Sequence, residues 1–167
     1  TANLTGGLWC SPNGGASWEE VTRYPETYPA GTRFPAVAFD PYHEGVAFLA
    51  VSGYGILRST DAGISWTDFS AGLPGVRGDI GWRSLAFGPT TVYATATQLQ
   101  PVEAGAPLVF RSDSTTAGWA SIAGNLPPAD STSVQQNAVV IRVSPENSDN
   151  LSLAYPGFPS LFYQSND

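Results

Sequence analysis

Lysine is absent from this sequence. All seven basic residues are arginine, they face fourteen acids, and the formal net charge at pH 7 is −7. Nucleic acid and anionic membrane surfaces both call for clustered cations, so both are excluded as partners. Cysteine is almost absent too. Cys10 alone can form no internal disulfide and matches no zinc spacing, so no metal site is expected. Histidine occurs once, as His43 in the polar turn "DPYHEG", and nothing in the sequence pairs it with Cys10 as base with nucleophile. A packed thiol is the simpler reading of Cys10. No apolar run reaches about 18 residues, which excludes a membrane-spanning helix. No basic and then apolar opening marks an attached signal peptide. No window sustains a helical period, and Pro interrupts most candidates. No motif implies a cofactor.

What remains is rich in turn formers and apolar residues. Gly occurs 18 times and Pro 14 times, 42% of residues are hydrophobic, and only 13% are charged. Within 167 residues this allows one domain with a core, made of many short strands joined by Gly/Pro turns: an all-β chain. Low charge density with many Ser, Thr, Gly and aromatic residues suits a secreted protein. The sequons at Asn3 and Asn150 agree with that.

The chain repeats itself. "RSTDAGISW" contains Ser59, Asp61, Gly63 and Trp66 in the pattern Ser-x-Asp-x-Gly-x-x-Trp. "SPNGGASW" repeats it with Ser11, Asn13, Gly15 and Trp18. "SDSTTAGW" keeps Ser112 and Trp119 but has Ser114 and Thr116 where Asp and Gly would stand, and the final "SND" begins another copy with Ser165 and Asp167. The four serines are 48, 53 and 53 residues apart. A fixed period near 50 suits propeller blades of four antiparallel strands.

Strand patterns fill the frame. "FPAVAFDP" (34–41), "GVAFLAVS" (45–52), "ILRS" (56–59) and "SWTDF" (65–69) make one blade, 34–69. "WRSLAFGP" (82–89), "VYATATQ" (92–98), "LVFRS" (108–112) and "GWASIAG" (118–124) make a second, 82–124. Residues 1–24 supply strands three and four of an earlier blade, and 138–167 an incomplete later one. The first strands end alike at Pro41, Pro89 and Pro145, each of which stops pairing and starts a turn. About three blades are expected, an incomplete propeller. Closed propellers need about 4–8 blades, so the rest of the same polypeptide, or further copies, is expected to close the ring.

The repeated motif resembles the Asp-box, or BNR repeat, of sialidases, sortilin-type receptors and the two-propeller xyloglucan-hydrolysing endoglucanases. The phrase "GVAFLAVSGYGILRSTDAGISW" is most similar to the endoglucanases. Two readings of Asp61 compete, a catalytic acid and a turn fastener. A catalytic residue is needed once, whereas a fastener is needed in every blade, so repetition favours the fastener. On this reading Ser59 and Asp61 accept backbone N–H bonds, Gly63 supplies positive φ, and Trp66 plugs the space between sheets. Trp18, Trp66 and Trp119 are all expected to be buried.

The resemblance implies that ligands meet the face opposite the boxes. Its loops, 25–33, 53–55, 70–81, 99–107, 125–137 and the stretch after Tyr155, contribute Tyr28, Arg33, Tyr54, Arg77, Asp79, Glu103, Asp130, Gln135 and Tyr155. Aromatic faces stack on sugar rings, and acids bind hydroxyls or protonate a glycosidic oxygen; surface loops also carry such residues for solubility alone. Arg33-Phe34-Pro35 resembles the sialidase Arg-Ile-Pro element but follows a box instead of preceding the first. Ser52 and Gly53 stand where one endoglucanase acid would, and Gly78-Asp79-Ile80-Gly81 resembles the element around the other, with Trp82 in place of a Gly. Asp79 and Glu103 are therefore the candidate acids, and Tyr28, Arg33, Tyr54, Arg77 and Tyr155 the candidate ligand contacts. The expected function is a secreted, carbohydrate-active propeller, a glycoside hydrolase on a plant or microbial polysaccharide. The alternative is a non-catalytic propeller that binds a glycan or a protein.

Overall fold

The computed structural model describes residues 7–74, 80–98, 108–124, 126, 140–147, 149–155 and 161–164. Every regular element among them is a strand. β1 (Trp9–Cys10) and β2 (Glu19–Glu20) form a two-stranded ribbon. β3 (Ala36–Phe39), β4 (Ala47–Val51), β5 (Gly55–Ser59) and β6 (Thr67–Asp68) form a four-stranded sheet in chain order. β7 (Ile80–Phe87), β8 (Thr91–Gln98), β9 (Leu108–Asp113) and β10 (Ala120–Ser121) form a second. β11 (Val140–Val143), β12 (Leu151–Tyr155) and β13 (Leu161–Gln164) complete the set. All pairings between these strands are antiparallel and join chain neighbours, and one isolated parallel bridge joins Arg23 to Ser65. The fourth strands are shorter than their sequence patterns, because Trp66 and Trp119 leave the ladder to pack inward. β7 begins early, drawing Ile80 and Gly81 out of the 70–81 loop.

The sheets stack face to face, and side-chain alternation divides each strand between two cores. β4 shows this best. All five of its residues are buried, and the segment reads as an unbroken apolar run. Phe48 and Ala50 point into one cluster with Ile56, Phe69, Val92 and Trp119. Ala47, Leu49 and Val51 point the other way, against Val21, Leu57 and Trp66. β8 repeats the division: Val92 and Ala94 join the first of these clusters, and Tyr93 joins a third with Ile141 and Leu153. Full burial of each large apolar side chain contributes roughly 1.5–3 kcal/mol, so most of the stability lies between sheets.

Backbone bonds stitch one sheet to the next at equivalent places. Trp66 donates its amide N–H to the Arg23 carbonyl at 3.0 Å, and Trp119 donates its own to Ala71 at 2.9 Å. The acceptor lies 12 residues beyond the box serine of the preceding unit in both cases. Gly72 permits this contact. Its φ is +87°, and a Cβ there would collide with the Trp119 backbone.

One expectation is corrected. Trp66 and Trp119 are buried, at 4% exposure each, but Trp18 is 59% exposed. Its hairpin is intact, and its ring lies over Gly15 as that of Trp66 lies over Gly63. The difference is the neighbour. Trp66 and Trp119 each press on the preceding sheet, and no described residue forms a sheet before β1.

Candidate functional site

The three hairpins that carry the repeat lie at one end of the sheets. Their turns are closed by side chains. Ser59 Oγ donates to Asp61 Oδ1 at 2.8 Å and accepts the N–H groups of Asp61 and Gly63 at 3.2 and 2.9 Å. Asp61 also accepts the Ser65 N–H and hydroxyl. These bonds, led by that from the Ser65 hydroxyl, lower the Asp61 carboxyl to about 2. The Trp66 indole N–H closes on the Gly63 carbonyl at 3.1 Å. The first hairpin repeats the wiring with an amide in place of the carboxylate. Ser11 Oγ donates to Asn13 Oδ1 at 3.1 Å and accepts the Gly15 N–H at 2.7 Å, and Asn13 Oδ1 accepts the Ser17 N–H at 2.9 Å.

The third hairpin is wired differently. Ser112 Oγ accepts the Gly118 N–H at 3.1 Å and donates to the Thr116 carbonyl at 3.3 Å. Asp113, one place ahead of the motif position, accepts the Thr115 and Thr116 N–H groups and the Thr115 hydroxyl, and its carboxyl is lowered chiefly by that hydroxyl. Sequence alignment points to Ser114, whose hydroxyl is instead buried without a partner among the described residues. Beside the second hairpin, the β3–β4 turn is held by Asp40, which accepts the Tyr42 N–H and pairs with His43 Nδ1 at 3.0 Å. Gly45 joins the two turns by accepting the Ala62 N–H at 2.8 Å. The single histidine is thus a turn clasp.

The opposite end contains the β4–β5 turn and the segment between the first two sheets. Two of the sequence candidates meet there. The rings of Tyr28 and Tyr54 are edge to face at 4.9 Å, and Tyr24 and Phe34 complete the cluster, with Tyr28 at 5.6 and 5.9 Å from them. Tyr24 and Phe34 are stacked at 5.9 Å. Burial, then the charges of Glu26 and Asp68, push the Tyr28 hydroxyl up to about 12, so it stays protonated. That hydroxyl is buried and has no hydrogen-bond partner among the described residues. An open depression of about 660 Å³ lies against the cluster, lined by Tyr24, Tyr28 and Phe34 together with Glu20, Glu26 and Thr32. Arg33 is exposed, and its carbonyl accepts the Ser52 N–H at 2.9 Å, which ties the segment to the end of β4.

Tyr155 closes β12 opposite Leu161. Arg77, Asp79, Glu103, Asp130, Gln135, Ser165, Asp167 and Asn3 lie outside the described residues. Asn150 sits half-buried in the turn before β12, where its carbonyl accepts the Ser144 N–H. Sequence reasoning missed Tyr24, Phe34, Glu20 and Glu26. The signal was present in "TRYPETYP" (22–29), where aromatics and an acid alternate with Pro in a segment too irregular for a strand. No group of three or more His, Cys, Asp or Glu able to hold a metal occurs among the described residues.

No family model matches the sequence, and no curated protein matches it. Solved structures do. The chain is similar to an ancestral GH74 enzyme, with TM-score 0.69 and 20% identity over 99% of this chain and 23% of that one. It is similar to the GH74 xyloglucanase from Xanthomonas campestris, with TM-score 0.68 and 19% identity over 98% and 26%. YCF48 bound to D1 peptide follows with TM-score 0.50 and 17% identity over 95% and 43%. The chain spans about a quarter of the length of the two GH74 structures. At these identities the likeness shows the fold: this chain is built of β-propeller blades.

Proposed function

We propose that this chain is part of a secreted, carbohydrate-active β-propeller of the Asp-box type, a glycoside hydrolase that binds a plant or microbial polysaccharide at the end opposite the hairpins. The observation that carries the reading is the Tyr24–Tyr28–Phe34–Tyr54 cluster beside a depression rimmed by Glu20 and Glu26. Aromatic faces and carboxylates suit pyranose rings and their hydroxyls. The unpartnered Tyr28 hydroxyl is a donor with an unmet bond, a condition that costs about 1–3 kcal/mol and that a sugar hydroxyl would relieve. The GH74 likeness supports the same class of ligand. Asp79 and Glu103 are the proposed acids, and Arg77 and Tyr155 further ligand contacts. The hairpin residues, Asp61 included, are fasteners that take no part in the chemistry.

Calorimetric titration of the full chain with xyloglucan oligosaccharides and other β-glucans tests the binding. Tyr28→Phe should weaken it about fivefold to tenfold, the effect of one neutral hydrogen bond. Asp79→Asn and Glu103→Gln should abolish release of reducing ends while leaving affinity in place. Failure to bind any polysaccharide would reject the reading. The likeness to YCF48 bound to D1 peptide motivates a second reading, a propeller that binds a peptide instead of a glycan. Peptide binding that is lost in Tyr54→Ala, with no response to glycans, would establish that alternative.

A further inference from the structure

The first two hairpins share one wiring but differ in the residue pair at the tip. Asn13-Gly14 stands where the second hairpin has Asp61-Ala62. Both tips form the same tight turn: the Ala16 N–H reaches the Asn13 carbonyl and the Ile64 N–H the Asp61 carbonyl, each at 3.4 Å. Such a turn has positive φ at both central residues, here +67° and +92° at Gly14 and Gly15, and +59° and +88° at Ala62 and Gly63. Asn13 is the only asparagine in the sequence that precedes a glycine. Asn13 and Gly14 are exposed, and a Cβ at Gly14 would meet no atom within 4 Å. Asp61 and Ala62 are exposed as well, although a sheet precedes theirs, so access of water belongs to the turn itself. The Asn13 amide is held at both of its polar atoms. Its Oδ1 accepts the Ser11 hydroxyl at 3.1 Å and the Ser17 N–H at 2.9 Å, and its Nδ2 donates to Ser17 Oγ at 2.9 Å.

We infer that Asn13 is a self-modification site: the Gly14 amide nitrogen attacks the Asn13 side-chain carbonyl, and the first hairpin converts from an asparagine form to an aspartate form. In the first step the Gly14 nitrogen bonds to Asn13 Cγ and gives up its proton. The Cγ–Nδ2 bond breaks, and Nδ2 leaves as ammonia with that proton. The product is a five-membered succinimide, which water then opens. Opening at Cγ restores the Gly14 N–H and leaves a carboxylate on the side chain; opening at the main-chain carbonyl gives isoaspartate. Water is the only co-reactant. Nucleophile and carbonyl are neighbours in one chain, so the attack is intramolecular. Glycine has no Cβ to crowd the attacking nitrogen. The Ser11 hydroxyl and the Ser17 N–H already donate to Oδ1, the oxygen on which negative charge develops during attack. The aspartate product also fits the turn. In the second hairpin the Ser65 hydroxyl donates to Asp61. Ser17, which accepts from Nδ2, has only to turn its hydroxyl proton to bind the new carboxylate in the same way.

Peptide mapping by mass spectrometry reads the conversion in the folded full chain, incubated in neutral buffer made with isotopically heavy water oxygen. Residue 13 should lose its amide and gain one heavy oxygen well before any other asparagine does. Gly14→Ala should slow this about tenfold or more, because a Cβ crowds the attacking nitrogen. That variant should still fold, since Ala62 occupies the same place in the second hairpin at positive φ. The aspartate product, separated by charge, should match Asn13→Asp in its acid-dependent stability, and the isoaspartate product should not. An Asn13 amide that persists in the folded chain while the chain unfolded in denaturant loses it would overturn the inference, because the hairpin bonds would then protect the amide. Equal rates with and without Gly14→Ala would overturn it too, because the Gly14 nitrogen would not be the nucleophile.

Discussion

The first and second hairpins are the same object in two surroundings. Ser11–Trp18 and Ser59–Trp66 share the serine that bridges two positions, the acceptor that caps the residue four places on, and a tryptophan folded over glycine. Yet Trp18 is 59% exposed and Trp66 4%. The turn therefore forms without burial of its tryptophan. Eight residues suffice to close it, because every bond in it is local. Burial needs a second sheet, and the tryptophan is the part of the motif that fastens blade to blade.

The largest consequence separates the two tryptophans. Trp66→Ala should cost about 3–5 kcal/mol, through lost burial and the cavity left between sheets. Trp18→Ala should cost about 0.5 kcal/mol or less, as surface substitutions do. Denaturant titration of both variants measures the gap, and equal losses would break the comparison. A smaller gap is expected at the serines. Ser59 is 1% exposed, and Ser59→Ala would leave buried N–H groups unpaired, at about 2 kcal/mol. Ser11→Ala should cost about half as much, since water reaches the first turn.

Smaller effects should be alike in the two hairpins, which sharpens the distinction between local and tertiary causes. Gly15 and Gly63 have φ of +92° and +88°. Alanine at either should cost about 1–2 kcal/mol from the left-handed backbone alone. A loss at Gly63 several times that at Gly15 would mean that packing, not backbone, sets the requirement.

The last effect is acid dependence. The folded Asp61 carboxyl lies near 2, below its ordinary value. Its stabilisation is therefore complete above about pH 4 and fades as the pH falls toward 2. Asp61→Asn should remove that slope, and Asn13→Asp should introduce one in the first hairpin. Stability curves between pH 2 and 5 for the three proteins test the sign.

Much of this was legible in sequence because it is periodic or local. The box spacing set the strand order, and the short runs "GVAFLAVS" and "VYATATQ" between turn residues marked two of the strands. Other features were not legible. That Asp113 and not Ser114 receives the amide bonds of the third turn depends on a turn shape that no alignment column contains. The depression beside Tyr28 brings Tyr54 onto a segment 26 residues earlier, and only sheet stacking does that.

What the sequence by itself determined is the unit: four short antiparallel strands, a serine-closed hairpin and a Pro-ended first strand. Each of these follows from contacts within a few residues or between neighbouring strands, where spacing alone decides who meets whom. Only the tertiary structure decided which apolar side chains are core. Trp18, Val37 and Phe39 have the same chemistry and the same register as Trp66, Leu85 and Phe87. They differ in whether another sheet lies within van der Waals reach, and burial belongs to that neighbour as much as to the residue.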